Sequence, residues 1–591
     1  MAHLTSLKKS LSDWNDSNQN HRAEIKWLLI VTAAFCSFLL IFSLHRYYTF
    51  YASYDHGLFN QIFWNNLHRR WFQSSLTGEH AAAFVLNNEI PPVNFNHLGQ
   101  HFVPNFLLWL PIYALFPSPV TLIVLQIGLM AAGGVVLYAL ARHYLAPTLS
   151  LLITAGYFGA HAVIGPTFAN FYEHCQIPLF VFSALLAMEK QRWWLFWLMV
   201  AFTLGIREDT GIILFGIGLY LVLSRRHPWV GVALCGISFA YVAIITSVVS
   251  LHFSSNTPPP YMAGRFGQYV PGIESPTTLQ VLWGMLTHPV EVLKSLLTPF
   301  DRRVMYLLGQ WLPLAFVPAV APASWIIAGV PLLTLLIQSG MSALVITIRY
   351  SVAIVPGIFY GAILWWASPS QRPVPELVKR SLWQTLGFTY RTRQLTPTFR
   401  RFWVVCIALS ITLVTLSSPN QAFYFLLPES FNPWLYITLP RQWEHSQALR
   451  DVIRVIPADA SVAATTYLIP PLSTRREITR FPNLQLRDEQ GQVQMMEYAV
   501  ADLWRLDQYQ PLFKGDHQRL SLIIARMDEM IAQKTYGLVQ LQDGVVLLQK
   551  GVPSQPETLT AWAPLRQELL TSLEKTTLKR DRNRVSKPAR V

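Results

Sequence analysis

Apolar residues form long blocks along this chain, and polar residues gather between them. Blocks such as Trp27 to Leu44, Val120 to Ala141, Trp229 to Leu251, Ala343 to Ala367 and Phe402 to Leu416 each approach the roughly 20 residues that carry a helix across a bilayer core. The pattern predicts crossings near 27–46, 119–141, 149–165, 175–188, 193–206, 212–224, 229–251, 304–320, 323–339, 343–367 and 402–418, about eleven in all. The first block follows a long polar stretch and has no small-residue cleavage site after it, so it is expected to stay as a span. The interrupted segment His101 to Phe116, with Pro104 and Pro111, reads as a re-entrant or interfacial element.

Between and after the spans the texture changes. A segment of the first long loop (47–118) places Leu58, Phe59, Ile62, Phe63 and Leu67 opposite Asn60, Gln61, Asn65, Asn66 and Arg69. This is the spacing of an amphipathic helix suited to lying on a membrane surface. The loop at 252–303 is rich in Pro, Gly and Thr and is expected to be irregular. Beyond 418 a small α/β domain is expected over 419–560, with helices at Gln442 to Val455 and Leu520 to Gln533. A strand is expected at Ala460 to Thr465, and a hairpin at Gly537 to Gln549 turning at Asp543 and Gly544. The segment 575–591 carries seven Lys and Arg residues and reads as a disordered basic tail.

Sidedness comes from the basic residues, which favour cytoplasmic loops. Lys8, Lys9, Arg22 and Lys26 put the N-terminal segment 1–26 inside. Arg142, Lys190, Arg192, Arg225, Arg226 and the basic loop 368–401 then also fall inside. The first loop, the 252–303 loop and the C-terminal domain are expected outside a bacterial plasma membrane. Composition agrees with a membrane protein: 52% of residues are hydrophobic and 13% charged, against roughly 25% charged in a typical soluble chain. The net charge of +14 follows from loop topology, and no nucleic-acid partner is expected. The four cysteines lie in or beside apolar runs without metal or redox spacing.

Ionisable residues near the outer ends of spans are the candidates for chemistry, because charge at membrane depth is costly. Asp55 opens the amphipathic helix, as an N-cap or as a catalytic or ligand-binding carboxylate. His97 and His101 are four residues apart, a spacing open to metal ligation or to interfacial hydrogen bonding. Glu173 with His174 could form a base or ligand, or a local pair. Arg207, Glu208 and Asp209 open the 212–224 span, as a dipole-stabilised cluster or as a site. Arg265 and Arg349 are open to a phosphate clamp or to structural ion pairs. No phosphate-binding glycine loop and no internal repeat occur.

Several segments carry a family resemblance: Tyr54 to Gln61, His97 to Tyr113, PSPVTLIVLQ, REDTG and IPADASVAATTYLIPPLSTR, spread over roughly 45–550. Together they resemble an uncharacterised bacterial membrane family, domain of unknown function 2079. That family is distantly similar to C-type glycosyltransferases, which take a sugar from a polyprenyl-phosphate carrier on the outer membrane face. The resemblance implies such an activity here, with Asp55 as catalytic base and Arg265 or Arg349 on the lipid phosphate. It also implies that Glu173, Glu208 and Asp209 place the acceptor or a divalent cation, with His174 and Arg207 as further substrate-binding candidates. The chain departs from that pattern in offering Asp55 alone, with His56 beside it. A secondary transporter or lipid flippase, or a non-catalytic membrane assembly protein, are the alternative classes.

Overall fold

The computed structural model describes every residue except 1, 169, 255–260, 275, 369–394, 417–426 and 586–591. Most of the basic 368–401 loop therefore lies outside the described residues. The molecule is mainly helical. Five helices are long and apolar enough to cross a membrane: Arg22–Tyr48, Pro119–Tyr144, Pro228–Phe253, Arg349–Ala367 and Pro397–Leu416. A sixth span forms if the bent pair Pro147–Phe158 and His161–Phe168 counts as one. Other segments expected to cross are shorter apolar helices, including Trp193–Leu204, Gly211–Leu223 and Pro322–Leu336. Phe106–Leu115 is also a short helix, begun after Pro104 and retaining Pro111 within it.

Small residues set how closely these helices pack. A Cβ on Gly218 would lie 2.8 Å from the Gly231 carbonyl oxygen, and one on Gly231 would lie 2.6 Å from that of Gly218. Only paired glycines let the Gly211–Leu223 and Pro228–Ile244 helices approach this far, and that approach fixes the walls of the groove described below.

The C-terminal region builds one five-stranded sheet in the order Ile478–Arg480, Val462–Ala464, Tyr498–Asp502, Val545–Lys550, Tyr536–Gln542. The first three strands are parallel, and the last two pair antiparallel. Leu439–Ile453 and Lys514–Ala532 are its main helices. The hairpin turns at Asp543 and Gly544, both at positive φ, as the Asp-Gly dipeptide predicts.

Three expectations are corrected. The helix Tyr54–Leu67 does not lie on a surface, because 11 of its 14 residues are buried. Its apolar face meets Phe106 and Tyr113, and its polar face meets the C-terminal domain. Asn60 Nδ2 donates to Ser473 Oγ at 2.9 Å and Gln61 Nε2 donates to the Arg476 carbonyl at 2.8 Å. Its amphipathicity thus matches a protein partner that arrives some four hundred residues later in the chain. The 252–303 loop is not irregular throughout: Thr278–Thr287 and Pro289–Leu297 are helices, started by a Thr277/Gln280 capping box and by Pro289. The tail is helical as far as Val585. Trp562, Leu569 and Leu573 bury against the C-terminal domain, and Arg580 donates to the Gln510 carbonyl at 2.7 Å.

The first loop and the C-terminal domain form one unit. Arg505 donates to the carbonyls of Thr49, at 3.1 Å, and Phe50, while its guanidinium covers the Tyr51 ring at 4.1 Å. Glu79 accepts from the Arg480 amide at 2.9 Å and from Asn483 at 3.0 Å. The Val93 amide donates to the Arg487 carbonyl at 2.8 Å and the Arg487 amide donates to the Pro91 carbonyl at 2.9 Å across the same seam.

Gly57 sits at the tightest point of the seam, where a Cβ would lie 2.6 Å from Ile469 Cγ2 and 3.0 Å from the Pro470 nitrogen. Gly57→Ala should therefore destabilise the protein by about 1–3 kcal/mol. Thermal unfolding in detergent and faster proteolytic release of the C-terminal domain check this; unchanged unfolding and release would contradict it.

Candidate functional site

Two chain turns and the loop between Trp193–Leu204 and Gly211–Leu223 meet beside the first loop, and there the charged residues gather. Arg207 is buried. Its Nη1 donates to Glu173 Oε1 at 2.8 Å and its Nε to Glu208 Oε1 at 3.2 Å, with Asp209 Oδ1 3.5 Å away. Glu208 in turn accepts from His101 Nδ1 at 2.8 Å and from the Phe102 amide at 3.0 Å. The sequence explains the placement: Gly205, where the preceding helix stops, leaves room for Asn105, whose Oδ1 would lie 2.3 Å from a Cβ there. Asn105 Nδ2 also donates to the Phe202 carbonyl at 2.7 Å.

A second cluster surrounds Tyr350. Arg349 Nη2 donates to the Tyr350 hydroxyl at 3.1 Å, and Arg265 Nη2 donates to the same oxygen. The two guanidiniums lie 4.9 and 4.7 Å from the Tyr350 ring centre. Arg349 Nη1 reaches Asp55 Oδ2 at 3.3 Å, and the Tyr172 hydroxyl donates to that oxygen at 3.1 Å. Asp55 does not cap its helix, since Ser53 holds that position. Both bonds go to one carboxylate oxygen, and the side chain remains 34% exposed. Asp55 therefore keeps an open oxygen beside Arg349, and Arg265 joins the cluster through Tyr350.

An apolar groove of about 340 Å³ runs from these charges. Phe215, Phe239, Val242, Leu282, Met285, Val330 and Ile337 line its length, and Arg207, Glu208, Asp209 and Arg265 form its polar end. A cavity of about 50 Å³ shares Asp209 and Arg265 with it and adds His174 and Tyr350. Asp209, 39% exposed, is the acid that opens most to the groove. Glu173 and Glu208 are spent on Arg207, His101 and the Phe102 amide.

The candidate residues thus come together in two linked groups, Glu173, His174, Arg207, Glu208 and Asp209 in one and Asp55, Arg265 and Arg349 in the other. His97 and His101 lie in a short 3₁₀ turn and the bend after it, not on one helix face. His97 Nδ1 is 3.0 Å from Thr77 Oγ1 and His101 Nδ1 is on Glu208. Among the described residues no group of three or more His, Cys, Asp or Glu is placed to hold a metal ion. Sequence reasoning missed Tyr350, Tyr172 and His80. His80 stacks on Tyr54 with centroids 5.1 Å apart, and its buried Nε2 has no hydrogen-bond partner. Adjacent Arg349, Glu173 and Glu79 were the only signal for these three.

Burial lowers the pKa of the buried histidines His56, His97 and His101. His56 is pushed down to about 4; its Nε2 lies 3.0 Å from the Pro119 carbonyl, while its Nδ1 accepts from the Phe171 amide at 3.2 Å. His97 is pushed down to about 3 by burial first and by His101 second. Burial lowers His101 as well, with Arg207 adding to it.

No curated protein matches the chain. A family model described as "predicted membrane protein (DUF2079)" matches residues 46–547, most of the sequence, and the chain belongs to that family.

Because both folded-state values lie below the ordinary histidine value near 6.5, the unfolded chain binds more protons between about pH 6.5 and 3. Stability should be full above pH 6.5 and fall as the pH drops toward 4, with the slope reduced in His97→Gln; a melting temperature flat over that range would contradict it. Arg207→Ala should cost about 3–5 kcal/mol by leaving buried carboxylates unpaired. Adding Glu173→Gln should restore part of the lost thermal stability. No recovery in the double variant would count against the pairing.

Proposed function

We propose that this DUF2079 protein transfers a sugar from a polyprenyl-phosphate carrier to an acceptor, as a glycosyltransferase of C-type architecture. One observation carries the reading: an apolar groove of about 340 Å³ ends at Arg265, which shares Tyr350 with Arg349 and, through it, reaches Asp55. An amphiphile with a long apolar chain and an anionic head has that shape and charge. A wholly polar solute would leave the groove's apolar wall without a partner.

In this reading the chain lies along Phe239 and Leu282, and Arg265 and Arg349 hold the phosphate. The open oxygen of Asp55 takes the acceptor's hydroxyl proton as the acceptor's own oxygen attacks the anomeric carbon. The bond from that carbon to the phosphate oxygen breaks, its electron pair leaves on the lipid phosphate, and the two guanidiniums stabilise the charge that develops. The buried network around Arg207 shapes the end of the groove, and Asp209 faces the acceptor. The proposal includes the topology that loop charge predicts: about eleven crossings, the N-terminal segment inside, and the first loop and C-terminal domain on the outer face of the plasma membrane. The bonds joining that loop to that domain support placing both on one side.

Native mass spectrometry of the detergent-solubilised protein with a panel of polyprenyl-phosphate sugars tests the reading. Wild type should retain a lipid-phosphate adduct that Arg265→Ala weakens by about tenfold or more, equivalent to about 1.4 kcal/mol. Asp55→Asn should keep the adduct and lose transfer by about a hundred- to ten-thousand-fold. Folded wild type without any adduct, or a fully active Asp55→Asn, would overturn the assignment.

A further inference from the structure

The helices Thr278–Thr287 and Pro289–Leu297 have two different faces. On the inner side Val281 and Gly284 are buried, and a Cβ on Gly284 would lie 2.3 Å from the Tyr269 carbonyl oxygen, so the first helix sits hard against the 267–269 turn. Its Thr278 hydroxyl donates to Thr246 Oγ1 at 3.1 Å, within the π-helical stretch Ile245–Val249 of the apolar helix Pro228–Phe253. Leu279, Leu282 and Met285 then face Phe239, Val242 and Thr246 across the groove. One long wall of the groove is therefore a candidate span, and the other is this short helix.

Among the described residues the outer side has no protein packed over it. Trp283, Leu286 and Val290 are 67%, 75% and 74% exposed, and Leu293, Leu297 and Phe300 continue the strip. Spacing keeps Trp283 and Leu286 on one flank of the first helix, and Val290, Leu293 and Leu297 on one flank of the second. The strip continues the exposed surface of the neighbouring span, where Val232, Ile237, Phe239, Ile244 and Val248 are also uncovered. Lys294, 3.7 Å from Glu291, and the exposed pair Asp301 and Arg302 edge the strip with charge. Apolar residues including a tryptophan on one flank, and charges with a lysine and an arginine along the border, suit the level where acyl chains meet headgroups.

We infer that this helix pair lies in the surface of one bilayer leaflet, with Thr278–Thr287 as the membrane-side wall of the groove, so that a lipid reaches the charged end sideways from that leaflet. The occupant of the outer face is the leaflet itself, because the Thr278 to Thr246 bond sets the first helix beside the apolar candidate span that forms the opposite wall. Phe239 of that span lines the groove and is itself exposed. The entry route rests on the reading of the groove as a lipid site; the placement of the helices does not.

Spin labels report the placement with no ligand added. Leu286→Cys, Leu293→Cys and Lys294→Cys are labelled separately and reconstituted in phosphatidylethanolamine–phosphatidylglycerol vesicles. Power saturation then compares collision with oxygen and with a water-soluble nickel chelate. The native protein put through the same labelling is the blank, since Cys175 and Cys406 are buried and Cys36 and Cys235 partly so. The depth parameter should be positive at 286 and 293 and negative at 294. Negative values at 286 and 293 would put the strip in water and overturn the inference, and positive values at all three would make the pair a buried or spanning element and do the same. Using two apolar sites keeps the test decisive if one variant fails to fold. Because the labels read depth alone, their failure leaves the Arg265 adduct result standing, and loss of that adduct leaves the depth result standing.

Discussion

Arg207 holds a full positive charge where water does not reach, and it can do so only because carboxylates from two separate parts of the chain meet it there. An unpaired ion at such a depth would cost several kcal/mol, so the chain segments bearing Glu173, Glu208 and Asp209 have little freedom to sit elsewhere. Glu208 passes the constraint on by gripping His101 and the Phe102 amide, which ties the first loop to the turn before Gly211–Leu223. From that turn the paired glycines 218 and 231 draw in the Pro228–Ile244 helix, and the groove is what remains between it and its neighbours. Position flows outward from a charge balance: the network places the loop, the loop places Asp55, and Asp55 meets Arg349.

The second constraint is the seam between the first loop and the C-terminal domain. Asn60, Gln61 and Glu79 spend their polar atoms on a domain far away in sequence, and Arg505 closes the seam from the other side. Each bond contributes about 0.5–1.5 kcal/mol net, but leaving these buried groups unpaired would cost more than that, so the helix carrying Asp55 is ordered only when the domain is in place. The C-terminal domain is thus part of the site's framework although it supplies none of the charged groups around Tyr350.

What could be read from the sequence depended on how local the physics was. The apolar blocks at Trp27, Val120, Trp229 and Phe402 announced their helices because hydrocarbon leaves a long apolar run few alternatives. In the C-terminal domain, the hairpin at Asp543 and Gly544 followed from turn chemistry, and the helices expected at 442–455 and 520–533 are found at Leu439–Ile453 and Lys514–Ala532. The charged candidates were legible as well, since Glu173 and the Arg207 to Asp209 run are expensive where they stand. Their division of labour was not. Nothing in the spacing said that Glu208 would be occupied by His101 and Phe102 while Asp209 faced the groove, or that Tyr350 would sit between two arginines. The helix at Tyr54–Leu67 shows the limit most plainly: its period was right, but amphipathicity cannot distinguish a membrane surface from a polar partner domain. Likewise the Pro- and Gly-rich composition of 252–303 hid two short helices whose value lies in the groove they wall.

The apolar groove ends at Arg265, which is joined through Tyr350 to Arg349 and Asp55. The most direct measurement is a structure of the protein in lipid nanodiscs with a polyprenyl phosphate added. The account predicts the phosphate between Arg265 and Arg349, and the chain along Phe239, Val242 and Leu282. A groove filled by the protein's own side chains, or the phosphate bound away from both arginines, would contradict it.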